Sequence, residues 1–127
     1  MTEEMLDTLK VQEMQALLDR EQAEKDGRAL DYLLSDEDGR WFLMRLFERC
    51  HIFSTTYPNE GDINQMMVWE GERRVALNIL GNISLMGEHY FQLKQLGEKE
   101  YNDHYNRAAY LMRQAEQNEK GDSHDEF

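Results

Sequence analysis

Ser35-Asp-Glu-Asp-Gly-Arg40-Trp-Phe-Leu-Met-Arg45-Leu-Phe-Glu-Arg49-Cys50-His-Ile-Phe53 is the stretch whose reading decides the fold. Ser35 reads as an N-cap, and Asp38 stands in the capping-box position three residues on, Asp replacing the preferred Glu or Gln. The helix expected after it, Arg40 to Phe53, carries Trp41, Phe42, Leu43, Met44, Leu46, Phe47, Cys50 and Ile52 on nearly every side. A helix apolar all round is a buried one. Its charges, Arg45, Glu48 and Arg49, leave one edge for water. The helix is therefore expected at the centre of the domain, with Trp41, Phe42, Leu46, Phe47 and Cys50 in its core.

Upstream, Thr2 can cap a first helix whose early turns hold Glu3, Glu4 and Asp7, where the helix dipole favours acids. Met5, Leu6, Leu9, Met14, Leu17 and Leu18 recur at three- and four-residue steps, a narrow apolar stripe on a polar rod that needs a partner. Gly27 suggests a break, and Ala29 to Leu34 a short apolar helix. Downstream, Ser54 to Asp62, with Tyr57, Pro58 and Gly61, is a loop. A long helix follows from about Ile63 to Met86, with Met66, Trp69, Arg73, Ala76, Leu80 and Ile83 in one row; Trp69, Leu80 and Ile83 are expected in the core. Gly71 and Gly81 inside it point to close approach by a neighbouring helix, since each otherwise costs about 1 kcal/mol against Ala. A last helix starts at Glu88 or Glu98 and runs to about Gln117. The polar, acidic end, 118–127, is expected to be ordered only by a partner.

With one proline, three valines and no strand-length alternation, the chain is expected to be all-α. The architecture that follows is a small bundle of four to five helices with an amphipathic N-terminal helix and an acidic C-terminal tail. Three regions are drawn: an arm over 1–27, a helical core domain over 28–117 and a tail over 118–127.

Charge narrows the function. Against 26 Asp and Glu stand 14 Lys and Arg, a formal charge of −12. This argues against direct, sequence-specific nucleic-acid binding, because phosphate contacts need clustered Lys and Arg. No apolar run approaches the roughly 18 residues of a membrane span, and Met1 to Lys10 lacks the apolar region of a signal peptide. Cys50 alone allows no internal disulfide, which fits a reducing compartment. The charge is uneven. Residues 1–38 hold 12 acids and 4 bases, whereas 39–58 hold 1 and 3. Residues 59–97 hold 5 and 3, and 98–127 hold 8 and 4. Two acidic ends thus flank a mildly basic middle.

Catalytic signatures are sparse. Glu48-x-x-His51 has the spacing of a di-iron carboxylate pair, but that site needs a second pair and two more inward Glu residues. Glu100 and His104, one turn apart, lie in a charged cluster with Lys99 and Asp103 and read as a solvated surface. Cys50 and His51 are adjacent, hence about 100° apart on a helix, which does not make a nucleophile–base pair. No P-loop, G-x-G-x-x-G, C-x-x-C or G-x-S-x-G is present. A non-enzymatic chain with no cofactor and no metal is expected. Its Met residues suit either core filling or an adaptable binding face, and Tyr90, Tyr101, Tyr105 and Tyr110 either a helix face or an interface anchor. Arg40, Arg45, Arg49, Arg73 and Arg74 flank apolar stripes. They suit internal pairing with Asp38, Glu48, Glu70 and Glu72, or a docking edge for an acidic partner such as another copy's arm. With Met5, Leu9 and Leu17 they form the candidate protein-binding set.

The strings Leu34-Ser-Asp-Glu-Asp-Gly-Arg40-Trp-Phe-Leu-Met-Arg45-Leu-Phe-Glu-Arg49-Cys50-His-Ile-Phe53 and Trp69-Glu-Gly71-Glu-Arg73-Arg74-Val-Ala-Leu-Asn-Ile-Leu80 resemble a family of short tailed-phage proteins of podovirus type. The family pattern is roughly LSxxDGRRFLxRLLERCxVF, a loop, then xEGRRNVGLxLL, and the resemblance covers about Leu33 to Leu85. Trp41 replaces a usual Arg, and Glu72 is inserted between Gly71 and the arginine pair. The family is encoded among phage head and portal genes. The resemblance implies a virion protein made in the bacterial host cytoplasm and multi-copy in an assembly. Its partners would be portal or internal core proteins, or copies of itself. It supplies no reaction and no catalytic residue. The alternatives are an assembly factor, scaffold or portal chaperone, absent from the mature particle, and an acidic inhibitor of a host nucleic-acid enzyme.

Overall fold

Thr2, in extended backbone, opens the first helix by accepting the Met5 N–H on its hydroxyl at 3.2 Å. The helix it starts, α1, runs without a break from Glu3 to Leu34. The computed structural model describes residues 2–54, 56 and 61–125. Within them the chain forms three further helices, α2 Glu37–Arg49, α3 Ile63–Leu85 and α4 Glu88–Asp125, and no strand. The expected all-α bundle is the fold, with four helices.

Gly27 does not end α1. A helical glycine costs only about 1 kcal/mol, less than the helix gains by continuing into its packed end. A Cβ at Gly27 would meet nothing within 4 Å. Gly27→Ala should therefore stabilise the fold by about 1 kcal/mol, read as a higher midpoint in urea denaturation.

The α1–α2 corner corrects the capping expectation by one residue. Ser35 keeps helical dihedrals, and its N–H bonds the Asp31 carbonyl at 2.9 Å, so it closes α1. Asp36 has the extended backbone an N-cap needs, and its carboxylate accepts the Gly39 N–H at 3.3 Å. At its other end α2 stops at Arg49, short of Phe53. His51 takes a φ of 65°, its N–H bonding the Glu48 carbonyl at 3.1 Å, while the Ile52 N–H bonds the Phe47 carbonyl at 3.1 Å. This is a Schellman closure with a histidine in the left-handed position. In the expected loop, Thr55 and residues 57–60, including Tyr57 and Pro58, lie outside the described residues. Asp62 caps α3 by accepting from Asn64 and Gln65. Gly87, at φ 107°, makes the turn into α4. That helix passes Gln117 and continues to Asp125, so 118–125 are its last turns; 126 and 127 lie outside the described residues.

The core is Leu34 from α1, Leu43, Met44 and Phe47 from α2, Ala76 and Ile83 from α3, and Tyr101 from α4. Phe47 and Ile83 lie where expected. Leu46, Cys50, Trp69 and Leu80 are half-buried at its margin. Trp41 and Phe42 are not core residues: both are exposed. Leu43, Met44 and Phe47 take the inward side of α2, and at 100° per residue this turns Trp41 and Phe42 outward. Trp41 rests against the rings of Tyr101 and His104 at 5.1 and 4.8 Å.

Contacts advance along α1 and α4 together. Gly27 and Leu30 border a hollow with Leu85 and Met86, just before α4 begins. Asp31 accepts from the Tyr90 hydroxyl, a bond that, with burial, holds the Tyr90 pKa above its usual value. Leu34 offers its carbonyl to Arg40, which also holds Glu100. The two helices therefore run parallel and staggered. Residues 3–22 of α1, exposed throughout, overhang the α3–α4 turn by ~30 Å at 1.5 Å per residue. The end of α4 overhangs the opposite end of the bundle.

Candidate interaction surface

The α1 overhang carries Met5, Leu6, Leu9, Val11, Met14, Leu17 and Leu18, all exposed. Met5, Leu9 and Leu17, three of the expected binding residues, thus face solvent on a rod that has no packing partner among the described residues. At 100° per residue Met5, Leu6, Leu9 and Leu17 share one face, and exposed apolar side chains gathered in this way mark an interaction site more often than a solvated one.

The five arginines are not one docking edge. Arg40 is only 9% exposed, and its guanidinium is spent inside the fold. Its Nε donates to Glu100 Oε1 at 2.6 Å, Nη2 to Oε2 at 3.4 Å and Nη1 to the Leu34 carbonyl at 2.8 Å. The hydrogen bond it donates to Glu100 is the main reason that its pKa is raised above the usual value, against the lowering effect of burial. Arg40 is a structural residue because three of its five N–H donors are bonded inside the fold and little of its side chain reaches the surface. The internal pairing expected of the arginines occurs here, with Glu100 as a partner the sequence reading did not name. Two residues 60 apart carry no local signal of their contact.

Arg45 is partly occupied. Its Nη1 reaches Glu48 at 3.0 Å and the hydroxyls of Tyr105 and Tyr101 at 3.3 and 3.4 Å. Arg49 is exposed and, with Arg45, borders a hollow of about 270 Å³ that also includes Trp41, Phe42 and Leu46. On α3, Arg73 is half-buried and Arg74 faces outward. The outer face of α2 is thus an aromatic and arginine surface, and the residues turned out of the core are the ones that make it.

The Glu48–His51 pair diverges. Glu48 joins Arg45 and Tyr105, while His51, beyond the helix end, meets Glu72 through Nε2 at 2.8 Å and stacks on Trp69 at 5.0 Å. Among the described residues no group of three or more His, Cys, Asp or Glu is placed to hold a metal. No described helix is long and apolar enough to cross a membrane.

The architecture that surrounds these surfaces is matched by a family model. Residues 31–95, just over half of the chain, fit that of the Bbp19-like phage proteins. The chain belongs to the Bbp19-like phage protein family. No curated protein and no solved structure matches it. The part shared with Bbp19-like proteins holds the α1–α2 corner, α2, α3 and the start of α4. The α1 overhang, Glu100 and the distal half of α4 lie outside it. The α2 surface therefore lies inside the matched region, and the apolar overhang lies outside it.

Proposed function

We propose that this phage protein is a non-enzymatic component of the virion, seated at the portal, the internal core or the head–tail region and acting through helix-mediated contacts. The observation that carries this reading is the α1 overhang: seven exposed apolar side chains, from Met5 to Leu18, on a stretch of helix that none of the described residues covers. A rigid rod of this kind binds as a helix in a neighbour's groove. The aromatic and arginine face of α2 suits an acidic neighbour. No reaction, cofactor or metal enters the role.

Mass spectrometry of purified particles should find the chain in stoichiometric amount. Its absence there, with abundance in proheads, would replace this reading with that of an assembly factor. The variant Leu9→Lys/Leu17→Lys should leave the unfolding free energy within about 0.5 kcal/mol, as exposed substitutions do, and should lose incorporation into particles. Normal incorporation of a folded double variant would remove α1 from the interface.

A further inference from the structure

The α3 helix has no densely charged side. Of its 23 residues only Glu70, Glu72, Arg73 and Arg74 are charged. Ala76, Ile79 and Ile83 face the core, yet the opposite side is not the charged face that a surface helix normally turns to water. That outer side is a single row, Met67, Gly71, Arg74, Asn78, Gly81 and Leu85, spaced by alternating steps of four and three. All six are exposed, Met67 at 65% and Leu85 at 87%. Ile63 and Val75 beside the row are exposed as well. A seam with this spacing is what two packed helices share.

The row is also palindromic. Laid antiparallel on a second copy about a two-fold axis level with Ala76, Met67 comes opposite Leu85, Gly71 opposite Gly81 and Arg74 opposite Asn78. Both apolar ends meet apolar ends. Both glycines meet glycines, where backbones can come closest, and each guanidinium meets an amide oxygen that can accept from it. Within one copy a Cβ at Gly71 or Gly81 would meet nothing within 4 Å. The close approach expected of these glycines is therefore not made among the described residues. Near the seam's end, Leu85 borders the hollow of about 250 Å³ that it shares with Ala23, Gly27 and Leu30, beside the place the partner's seam residue at position 67 would reach.

We infer that the outer face of α3 pairs with the same face of a second copy, antiparallel and two-fold symmetric, with glycine contacts at positions 71 and 81. Arg74 is the one charged residue of the seam, and the partner's Asn78 gives it a neutral acceptor. The palindrome selects this chain itself. The central Arg74 and Asn78 fix register and orientation at some cost in affinity, as polar seam residues do. From Met67 to Leu85 the seam is ~27 Å long at 1.5 Å per residue, an interface at the small end of the range. The two-fold leaves α1 and the α2 surface free for other neighbours.

Sedimentation equilibrium of the full chain should show a dimer at micromolar concentration. Gly71→Gln and Gly81→Gln should each weaken it by about 30-fold or more, because the symmetry axis repeats each clash. At a concentration low enough that wild type is monomeric, the same variants should unfold at the same or higher temperature than wild type, since Gln is the better helix former. Loss of the dimer with a raised melting point separates an interface role from a fold role. In a Cys50→Ala background, Met67→Cys/Leu85→Cys should cross-link between copies under mild oxidation. A monomeric wild type would overturn the pairing, as would a dimer that survives both glycine variants or dissociates only on Leu9→Lys/Leu17→Lys. The pairing rests on the reading of the chain as an assembly protein. It fails separately, because a monomer present in particles sinks only the pairing, and a dimer absent from them sinks only the virion location.

Discussion

Gly39→Ala should cost about 4 kcal/mol or more, the range reserved for a named steric fault, and should remove most of the stability of a domain this size. A Cβ at Gly39 would lie 2.1 Å from the Leu33 carbonyl oxygen and 2.7 Å from both the carbonyl carbon and Cα of Leu33. These are backbone atoms, so no rotamer change relieves the clash. Either α1 or the first turn of α2 must move, and Leu34 and Arg40, both buried, move with it. The sign is what makes the result informative. Ala is the better helix former by about 1 kcal/mol, and at Gly27, which has open space around it, the same substitution is expected to stabilise. Urea denaturation of the two variants side by side should therefore move the midpoint in opposite directions. A Gly39→Ala midpoint at or above wild type would mean that the α1 backbone does not lie against α2.

The contrast between these two glycines shows where a sequence stops being legible. Both are single glycines at helical positions, and nothing in their neighbours distinguishes the one that a backbone presses from the one in open space. The limits of α3 were legible, because Asp62 and Gly87 give capping and turn signals with a physical mechanism. The core side of α2 was not. A helix with apolar residues all round does not say which side faces in, so Trp41 and Phe42 were expected inside and are exposed. The early end of α2 was hidden too. His51 closes it from the left-handed region, a conformation histidine adopts less readily than glycine. Of the candidate binding set, the α1 stripe was legible as unpartnered. The arginines were not separable into used and free until Glu100 came into contact with Arg40.

Arg40→Ala should cost about 3 kcal/mol, the lower end of what breaking a buried ion pair costs. The lower end applies because the Glu100 side chain is 28% exposed against 11% for Arg40, so water partly reaches the carboxylate left behind. The Leu34 carbonyl loses its 2.8 Å donor at the same time. An unmade bond to a buried acceptor adds to the loss. Glu100→Gln should cost less, about 1–2 kcal/mol, because the amide oxygen still accepts one N–H while the counter-charge disappears. Arg40→Met/Glu100→Leu should recover much of the deficit, since replacing both partners strands no charge. The pH dependence has a definite sign. The folded-state pKa of Arg40 is raised above its unfolded value, so its contribution is fully present below the unfolded value and is lost only as pH rises through the folded one. From pH 5 to 9 the gap between wild type and Arg40→Met should therefore not change through titration of this guanidinium. A double-mutant cycle in urea measures the coupling directly. If Arg40→Ala unfolds within about 0.5 kcal/mol of wild type, as a surface substitution would, the guanidinium is not held inside the fold. Arg40 then returns to the docking edge with Arg45 and Arg49.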